Sequence, residues 1–418
     1  MRVVIAGQGY VGLPLAVRAA ERGHQVVGYD VDERRIAMLH GGRSYVEDIS
    51  DERLAAAVAS GRYKATTATR DCAGFDVAII TVPTPLREGA PDLSYVEQSA
   101  RMLARFIQPG ATVVLESTTY PGTTEELVGP ILEENSGLTA GTDFHLGFSP
   151  ERIDPGNPTW DIVTTPKIVS GIDEVSLKVI REFYDTIVDT TVPVSSPREA
   201  EMAKLIENTF RHVNIALVNE MAMVAHDLGI DIWQAIDAAS TKPFGFMRFT
   251  PGPGVGGHCL PIDPSYLSWR VQRRLGRNVR FVELANDINN HMPDYVVRRL
   301  VAAFNKQRRA VADSRILLLG LAYKKNTGDA RESPATRVAE LLIEMGAQLS
   351  AADPHVVETV AAIADVRRVE LTPEEVQAAD AVVLLTDHDE FDLEMVRQNA
   401  KYVLDTRHRL AGANVEAV

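Results

Sequence analysis

Three features of this 418-residue sequence predict an α/β fold of two parallel-sheet domains and a mainly helical middle. Short apolar runs alternate with helix-periodic stretches in the first and last thirds, the pattern that builds parallel sheets. The middle third carries one helical pattern of about 30 residues. A glycine-rich turn between an apolar run and a helix opens the chain. The expected domains are residues 1–194, 195–308 and 309–418, the outer two being dinucleotide-fold (Rossmann-like) units.

Residues 3–6 read as a buried strand and 13–22 as a helix, with Gly7-Gln8-Gly9-Tyr10-Val11-Gly12 between them. In that context GxGxxG is a dinucleotide-binding turn. The first glycine makes the turn, the second admits a pyrophosphate, and the third lets the helix pack closely. The helix N-terminus then offers its amides to the phosphates. Asp30 ends a second strand at the spacing where a carboxylate binds ribose hydroxyls, and its charge favours NAD over NADP. Residues 76–82 and 112–116 are further strands, ending in Pro83-Thr84-Pro85 and Ser117-Thr118-Thr119. Such loops at the carboxyl ends of strands line the ligand crevice of an open sheet. A fifth strand near 144–148 runs into Ser149-Pro150-Glu151-Arg152, where Glu151 is a candidate acid or base.

Ser196-Pro197 starts the long helix, Ser as cap and Pro in the first turn, and the pattern runs to Leu228-Gly229. At about 45 Å it is longer than one domain needs, so it is expected to join two domains or pack against its twin in a dimer. Lys204 and Asn208 share one face, either as solvated polarity or as donors aimed at a reacting oxygen. Residues 231–239, 281–290 and 293–304 also read as helices. Between them lies PGPGVGGHCLPIDPSYL, residues 251–267. Its glycines and prolines exclude a regular element, so a shaped loop presenting His258, Cys259 and Asp263 is expected. A thiol four residues before a carboxylate points to a nucleophile with an acid/base partner, the alternative being a buried structural cysteine.

In the last third, residues 315–320, 348–352, 381–385 and 402–405 are strands, and Ser333-Pro334 caps a helix. This unit repeats the order of the first without its glycine turn. Lys324, Lys325 and Arg331 place cations near the first strand end, which suits a diphosphate.

A net charge of −14 gives no general attraction for nucleic acid or an anionic membrane. Two cysteines, Cys72 and Cys259, make no disulfide framework and fit a reducing compartment, so a cytoplasmic protein is expected. No leader is expected, because Met1-Arg2 runs straight into a strand. No apolar run reaches the roughly 18–20 residues of a membrane span.

Along essentially its full length the chain resembles the nucleotide-sugar 6-dehydrogenase family, through GQGYVGLP, the TP of VPTP, ESTTYPGTT, FSPERIDPGNP, AEMAKLIEN, PGPGVGGHCLPIDP and GLAYKKNTGDARESPA. SPERIDPGNP together with TKPFGF is most similar to the UDP-N-acetylglucosamine 6-dehydrogenase branch, since UDP-glucose dehydrogenases more often have Phe at Arg152 and an acid at Pro155. The resemblance implies NAD-dependent, four-electron oxidation of a sugar C6 alcohol to a carboxylate, and a homodimer through the central helix. By position, Gly7, Gly9, Tyr10, Val11, Gly12, Asp30, Arg35, Thr84 and Thr118 would contact NAD. Cys259 would carry a thiohemiacetal and then a thioester. Lys204 and Asn208 would stabilise the oxyanion, Asp263 would assist proton transfer, and Glu151 would serve acid/base steps with Thr118 positioning water. Phe244, Arg248, Gly256, Lys324 and Arg331 would line the nucleotide-sugar. Arg152, beside Glu151, would donate to an N-acetyl carbonyl, contact a phosphate or carboxylate, or pair with Asp154. The same mechanism on UDP- or TDP-glucose is an alternative. A two-electron dehydrogenase or a non-catalytic NAD-binding scaffold would have no use for Cys259.

Overall fold

Strands that read as unbroken apolar runs form two sheets whose faces are both covered. The structure, a computed structural model, describes every residue except Glu47, Pro155, Gly156, Pro158, His258, Cys259, Glu358 and Thr359. The chain divides into two compact units, residues 1–207 with 269–274 and residues 208–268 with 275–418.

In the first unit an eight-stranded sheet runs in the order Thr191–Pro193, Lys167–Gly171, His145–Phe148, Thr112–Leu115, Val77–Ile80, Arg2–Ala6, Gln25–Tyr29, Tyr63–Thr66. Val3 and Ile5 pack into one core while Val4 and Ala6 pack into another on the opposite face. That alternation explains why the strand has no polar side. All neighbours are parallel except His145–Phe148 and Lys167–Gly171, which pair antiparallel with Phe148 opposite Ser170. The strand order reverses between Arg2–Ala6 and Val77–Ile80, the switch point where a crevice opens at the carboxyl ends of an open α/β sheet.

The expected strands are present. Tyr63–Thr66, Lys167–Gly171 and Thr191–Pro193 escaped the sequence reading, being short and carrying Lys, Tyr or Pro among few apolar residues.

The second unit holds a six-stranded parallel sheet in the order Arg367–Arg368, Gln348–Ala352, Arg315–Leu319, Ala381–Leu384, Val403–Asp405, Val415–Ala417. Its apolar residues alternate in the same way: Ile316 and Leu318 enter one core, Leu317 and Leu319 the other. The long helix, Pro197–Asp227, gives Pro197–Glu207 to the first unit and the remainder to the second.

Two expectations change here. Residues 281–290 and 293–304 belong to one helix, Arg280–Lys306, with Pro293 inside it. A mid-helix proline costs about 3 kcal/mol. Burial of Met292, Tyr295, Val296, Leu300 and Phe304 on the same helix offsets it. The loop that starts at Pro251 ends at Ile262, because helix Asp263–Leu275 begins with Pro264 as its second residue, where a missing N–H costs nothing.

The glycine turn is built by contact. Gly7 has φ +98°, and a Cβ there would lie 2.7 Å from the Thr81 carbonyl oxygen. At Gly12 a Cβ would collide with the Gly7 carbonyl and with Thr81 Oγ1, which itself donates to the Gly7 carbonyl at 2.8 Å. At Gly9 a Cβ would meet nothing within 4 Å. Gly12→Ala is therefore expected to lower the unfolding free energy of the first unit by about 1–3 kcal/mol in urea titration. Gly9→Ala should leave it unchanged. Equal losses from the two would show that the turn is not built by this packing.

Candidate active site

The carboxyl ends of the first sheet gather most of the expected cofactor residues. Helix Gly12–Glu21 starts with Val11 as its N-cap and has no side-chain cap; Leu13 N donates to the Gly9 carbonyl at 3.1 Å and Pro14 has no N–H, so the amides of Val11 and Gly12 are the ones that can face a ligand. Gln8, fully buried, fixes the turn. Its amide nitrogen donates to the Ile5 and Gly7 carbonyls, and its carbonyl accepts from Tyr63 Oη at 2.8 Å. It was missed in the sequence because it occupies a variable position of the motif.

Asp30 is buried, and each of its oxygens accepts one amide: Oδ2 from Gln8 N at 2.8 Å and Oδ1 from Asp32 N at 2.9 Å. A carboxylate has about four acceptor sites, so capacity remains for ribose hydroxyls. Arg35 lies 3.6 Å from Asp30 Oδ2, its guanidinium over the Tyr45 ring. Thr84 Oγ1 donates to the Thr118 carbonyl at 2.9 Å, tying two strand-end loops together. Tyr10 is exposed beside the turn. The open space at Gly9, the uncapped amides and the spare acceptors of Asp30 all fit a dinucleotide.

Asp353 occupies the equivalent place in the second unit with the opposite result. It accepts from the amides of Leu321, Ala322, His355 and Val356 at 2.6–3.0 Å and lies 3.1 Å from His388 Nε2. Burial opposes its charge, yet these donors hold its carboxyl well below the usual range. Its acceptors are spent on the loops after Arg315–Leu319 and Gln348–Ala352, which leaves none for a ribose.

Glu151 lies half-buried at the end of His145–Phe148. Its Oε1 accepts from the amides of Arg152 at 2.6 Å and Ile153 at 2.5 Å, and Oε2 is 3.6 Å from Lys167 Nζ. Lys204 Nζ donates to the Glu151 backbone carbonyl at 2.5 Å. One turn along the long helix, Asn208 Nδ2 donates to Asp263 Oδ2 at 2.5 Å, within the second unit. Lys204, Asn208 and Asp263 are all buried.

The expected substrate residues fare differently. Arg152 turns its guanidinium onto Glu207 (2.7 and 3.3 Å) and the Pro166 carbonyl (2.6 Å), so its ion pair is with Glu207 and not Asp154. Arg248 is bonded to Asp237 and Ser240, Arg331 forks onto Asp329, and Lys325 pairs with Asp389. Phe244 is 71% exposed with Lys242 over its ring. Gly256 does not leave an open lining. A Cβ there would strike the Glu332 carbonyl, Tyr323 and Pro334, so this glycine permits the loop to lie against its neighbours. His258 and Cys259 lie outside the described residues.

The start of the same loop is anchored by residues with no sequence signature. Gly252 N donates to Asn219 Oδ1 at 3.0 Å, Asn219 Nδ2 to Asn289 Oδ1 at 3.0 Å, and Asn289 Nδ2 contacts His212 at 3.3–3.4 Å. Arg407 was also missed. Its guanidinium lies against Gly252, where a Cβ would come within 3.0 Å of it.

Three stretches match the UDP-glucose/GDP-mannose dehydrogenase family: its NAD binding domain over residues 1–188, its central domain over 198–291 and its UDP binding domain over 317–411. The chain is 38% identical over 392 residues to the UDP-N-acetyl-D-mannosamine dehydrogenase of Pyrococcus horikoshii, covering 94% of this chain and 90% of that one. It is 36% identical to the UDP-N-acetyl-D-glucosamine 6-dehydrogenase of Pseudomonas aeruginosa, over 97% of each. The solved UDP-D-ManNAc dehydrogenase structure from Pyrococcus horikoshii superposes with a TM-score of 0.92 at 35% identity, over 100% of this chain and 99% of that one. Among the described residues no helix is long and apolar enough to cross a membrane.

The free acceptors of Asp30 lead to a cofactor test. Asp30→Ser should raise the KM for NAD and narrow the preference over NADP, because ribose contact and charge repulsion are lost together. Equal use of NAD and NADP by the wild type would remove Asp30 from cofactor selection.

Proposed function

The chain belongs to the UDP-glucose/GDP-mannose dehydrogenase family, and on that premise we propose that it oxidises the C6 alcohol of a UDP-N-acetylhexosamine to a carboxylate in two successive steps. The first domain binds NAD, which when bound supplies the hydride acceptor for each oxidation. The relatives named above act on N-acetylated mannosamine and glucosamine, which is what favours an N-acetyl sugar over glucose.

One observation carries the reading. Two donors a helical turn apart, Lys204 and Asn208, are each bonded to the segment that bears an acid: Lys204 to the Glu151 carbonyl, and Asn208 to Asp263. In the proposed reaction Lys204 and Asn208 donate to the sugar oxygen as negative charge builds on it. Such a donor typically contributes about 3–4 kcal/mol to the barrier. Cys259 adds as thiolate to the C6 aldehyde, giving a thiohemiacetal whose oxidation leaves a thioester. Glu151 takes a proton from the attacking water, and Cys259 departs as thiolate when the carboxylate forms. The Glu151 carboxylate is held in place by the amides of Arg152 and Ile153 and by Lys167. Asp263 assists proton transfer at the thiol and sugar oxygens. We assign the UDP moiety to the 309–418 domain, with Lys324 and Arg407 as its cations. The 195–308 domain carries the long helix and the cysteine loop.

The partner we propose is a second copy of the chain. Phe210, Leu217, Met221 and Val224 are exposed along the second-unit part of the long helix, and Leu228 just beyond its end. Their spacing of seven, four, three and four residues makes one stripe. A monomer rarely leaves so long an apolar face to water.

Two measurements test this. NADH released per sugar, assayed on UDP-GlcNAc, UDP-ManNAc, UDP-glucose, UDP-galactose and TDP-glucose, should be two for the preferred N-acetyl sugar. Cys259→Ser should form no acid while binding both substrates within several-fold of wild type. A stoichiometry of one, or full turnover without the thiol, would sink the covalent four-electron reading. For the assembly, Leu217→Glu should convert a dimer to a monomer in light scattering, and a wild type that is already monomeric would refute it.

A further inference from the structure

One buried set of titratable groups stands behind the site without a part in the reaction as assigned. Glu116 follows strand Thr112–Leu115, Lys167 opens strand Lys167–Gly171, and Tyr184 ends helix Glu174–Tyr184. The side chains of Glu116 and Lys167 are 0% and 6% exposed, and Tyr184 is fully buried. Tyr184 Oη donates to Glu116 Oε1, and Lys167 Nζ donates to Glu116 Oε2 at 3.1 Å. The same Nζ is 3.6 Å from Glu151 Oε2 and lies over the Tyr184 ring at 5.5 Å. One ammonium thus serves two carboxylates, one sealed in the core and one at its edge.

Topology brings these groups together. The antiparallel pairing sets Phe148 opposite Ser170, and carrying that register outward puts Glu151 opposite Lys167. Strand Lys167–Gly171 therefore starts at the edge where His145–Phe148 and Thr112–Leu115 end. Leu115 lies beside Phe148 in the parallel register, so Glu116 comes next to Ser149, two residues before Glu151.

A buried ion pair is often no more stabilising than apolar residues of the same volume, so packing is a poor account of three such groups. Burial raises the Glu116 carboxyl against the attraction of Lys167. Burial also works against the charge on Lys167, but its two carboxylates overcome this and keep it above an ordinary lysine. Of the other charged groups near Glu151, Lys204 binds its backbone carbonyl, while the Arg152 guanidinium is held by Glu207 and the Pro166 carbonyl. Among the described residues, Lys167 is the cation on the carboxylate itself.

We propose that Lys167, backed by Glu116 and Tyr184, is the positioning residue that holds the Glu151 carboxylate oriented for proton abstraction. The inference rests on Glu151 being the base in the reaction proposed above. It makes Glu116 and Lys167 adjustable in opposite directions. Removing the Glu116 charge leaves Lys167 wholly to Glu151, while removing Lys167 strips Glu151 of its counter-charge.

The test is kcat against pH for the full-length enzyme with NAD and whichever of the five nucleotide sugars is turned over. Glu116→Gln should move the acid limb to lower pH. The paired Glu116→Leu/Lys167→Met change keeps volume without leaving a lone buried charge. It should move the limb up by about one unit, so that kcat falls by up to about tenfold at pH values below the limb, with KM values within about threefold. Lost packing alone would weaken both variants without displacing the limb in opposite senses. Unmoved limbs in both would overturn the proposal. If the paired variant does not fold, Glu116→Gln decides alone: a limb at lower pH supports the proposal and an unmoved one overturns it. Glu151→Gln tests the premise separately. Retained activity there would remove Glu151 as the base, whereas an inactive Glu151→Gln with unmoved limbs in the other variants would fail only this inference.

Discussion

Burial of both sheets on both faces is the constraint that the rest of the chain obeys. Strands such as Val3–Ile5 and Ile316–Leu319 give one side chain to each core in turn, so no polar group can sit along them without a partner. Polar chemistry is pushed to strand ends, where backbone amides, carbonyls and neighbouring loops can satisfy it. The glycine turn, Thr84, Thr118, Glu151 and Asp353 all stand at such ends, and each is paired to a neighbouring loop or free to meet a ligand.

How much of each acceptor is already used separates binding from support. Asp30 and Asp353 hold corresponding places in two similar sheets. The first accepts two backbone amides, whereas the second accepts four with a histidine beside it. The same distinction sorts the cations. Arg152, Arg248 and Arg331 each grip a nearby acid, and a guanidinium committed in this way has less to offer a ligand. These surface and half-buried pairs contribute little stability individually, so their effect lies in fixing loop shape. The buried Lys167 is different, because leaving a charge unpaired in the core is costly.

The glycines of residues 251–262 show why composition alone does not give a site its shape. Gly256 is expected to line the nucleotide-sugar, yet Gly254, Gly256 and Gly257 let the backbone press against Asn289, Tyr323 and Pro334. Gly9 does leave space. A single letter has two uses, and only the neighbours distinguish them.

By itself the sequence determined the α/β class, the strand–turn–helix of residues 2–21, the long helix from Pro197 and the family. These rest on local periodicity and on spacings within a short run of chain. It also marked Lys204, Asn208, Glu151 and Asp263 as a set, through motifs written contiguously. Tertiary structure decided what depends on residues far apart in the chain: that Lys204 reaches Glu151 and Asn208 reaches Asp263, and that Arg152 answers Glu207. It alone put Lys167 beside Glu116 and Glu151, because the reversal of strand direction at Lys167–Gly171 carries no local signal. Parallel or antiparallel pairing is settled by which neighbours bury the strand, and a lysine opening a short strand reads as solvated until its partners are in place.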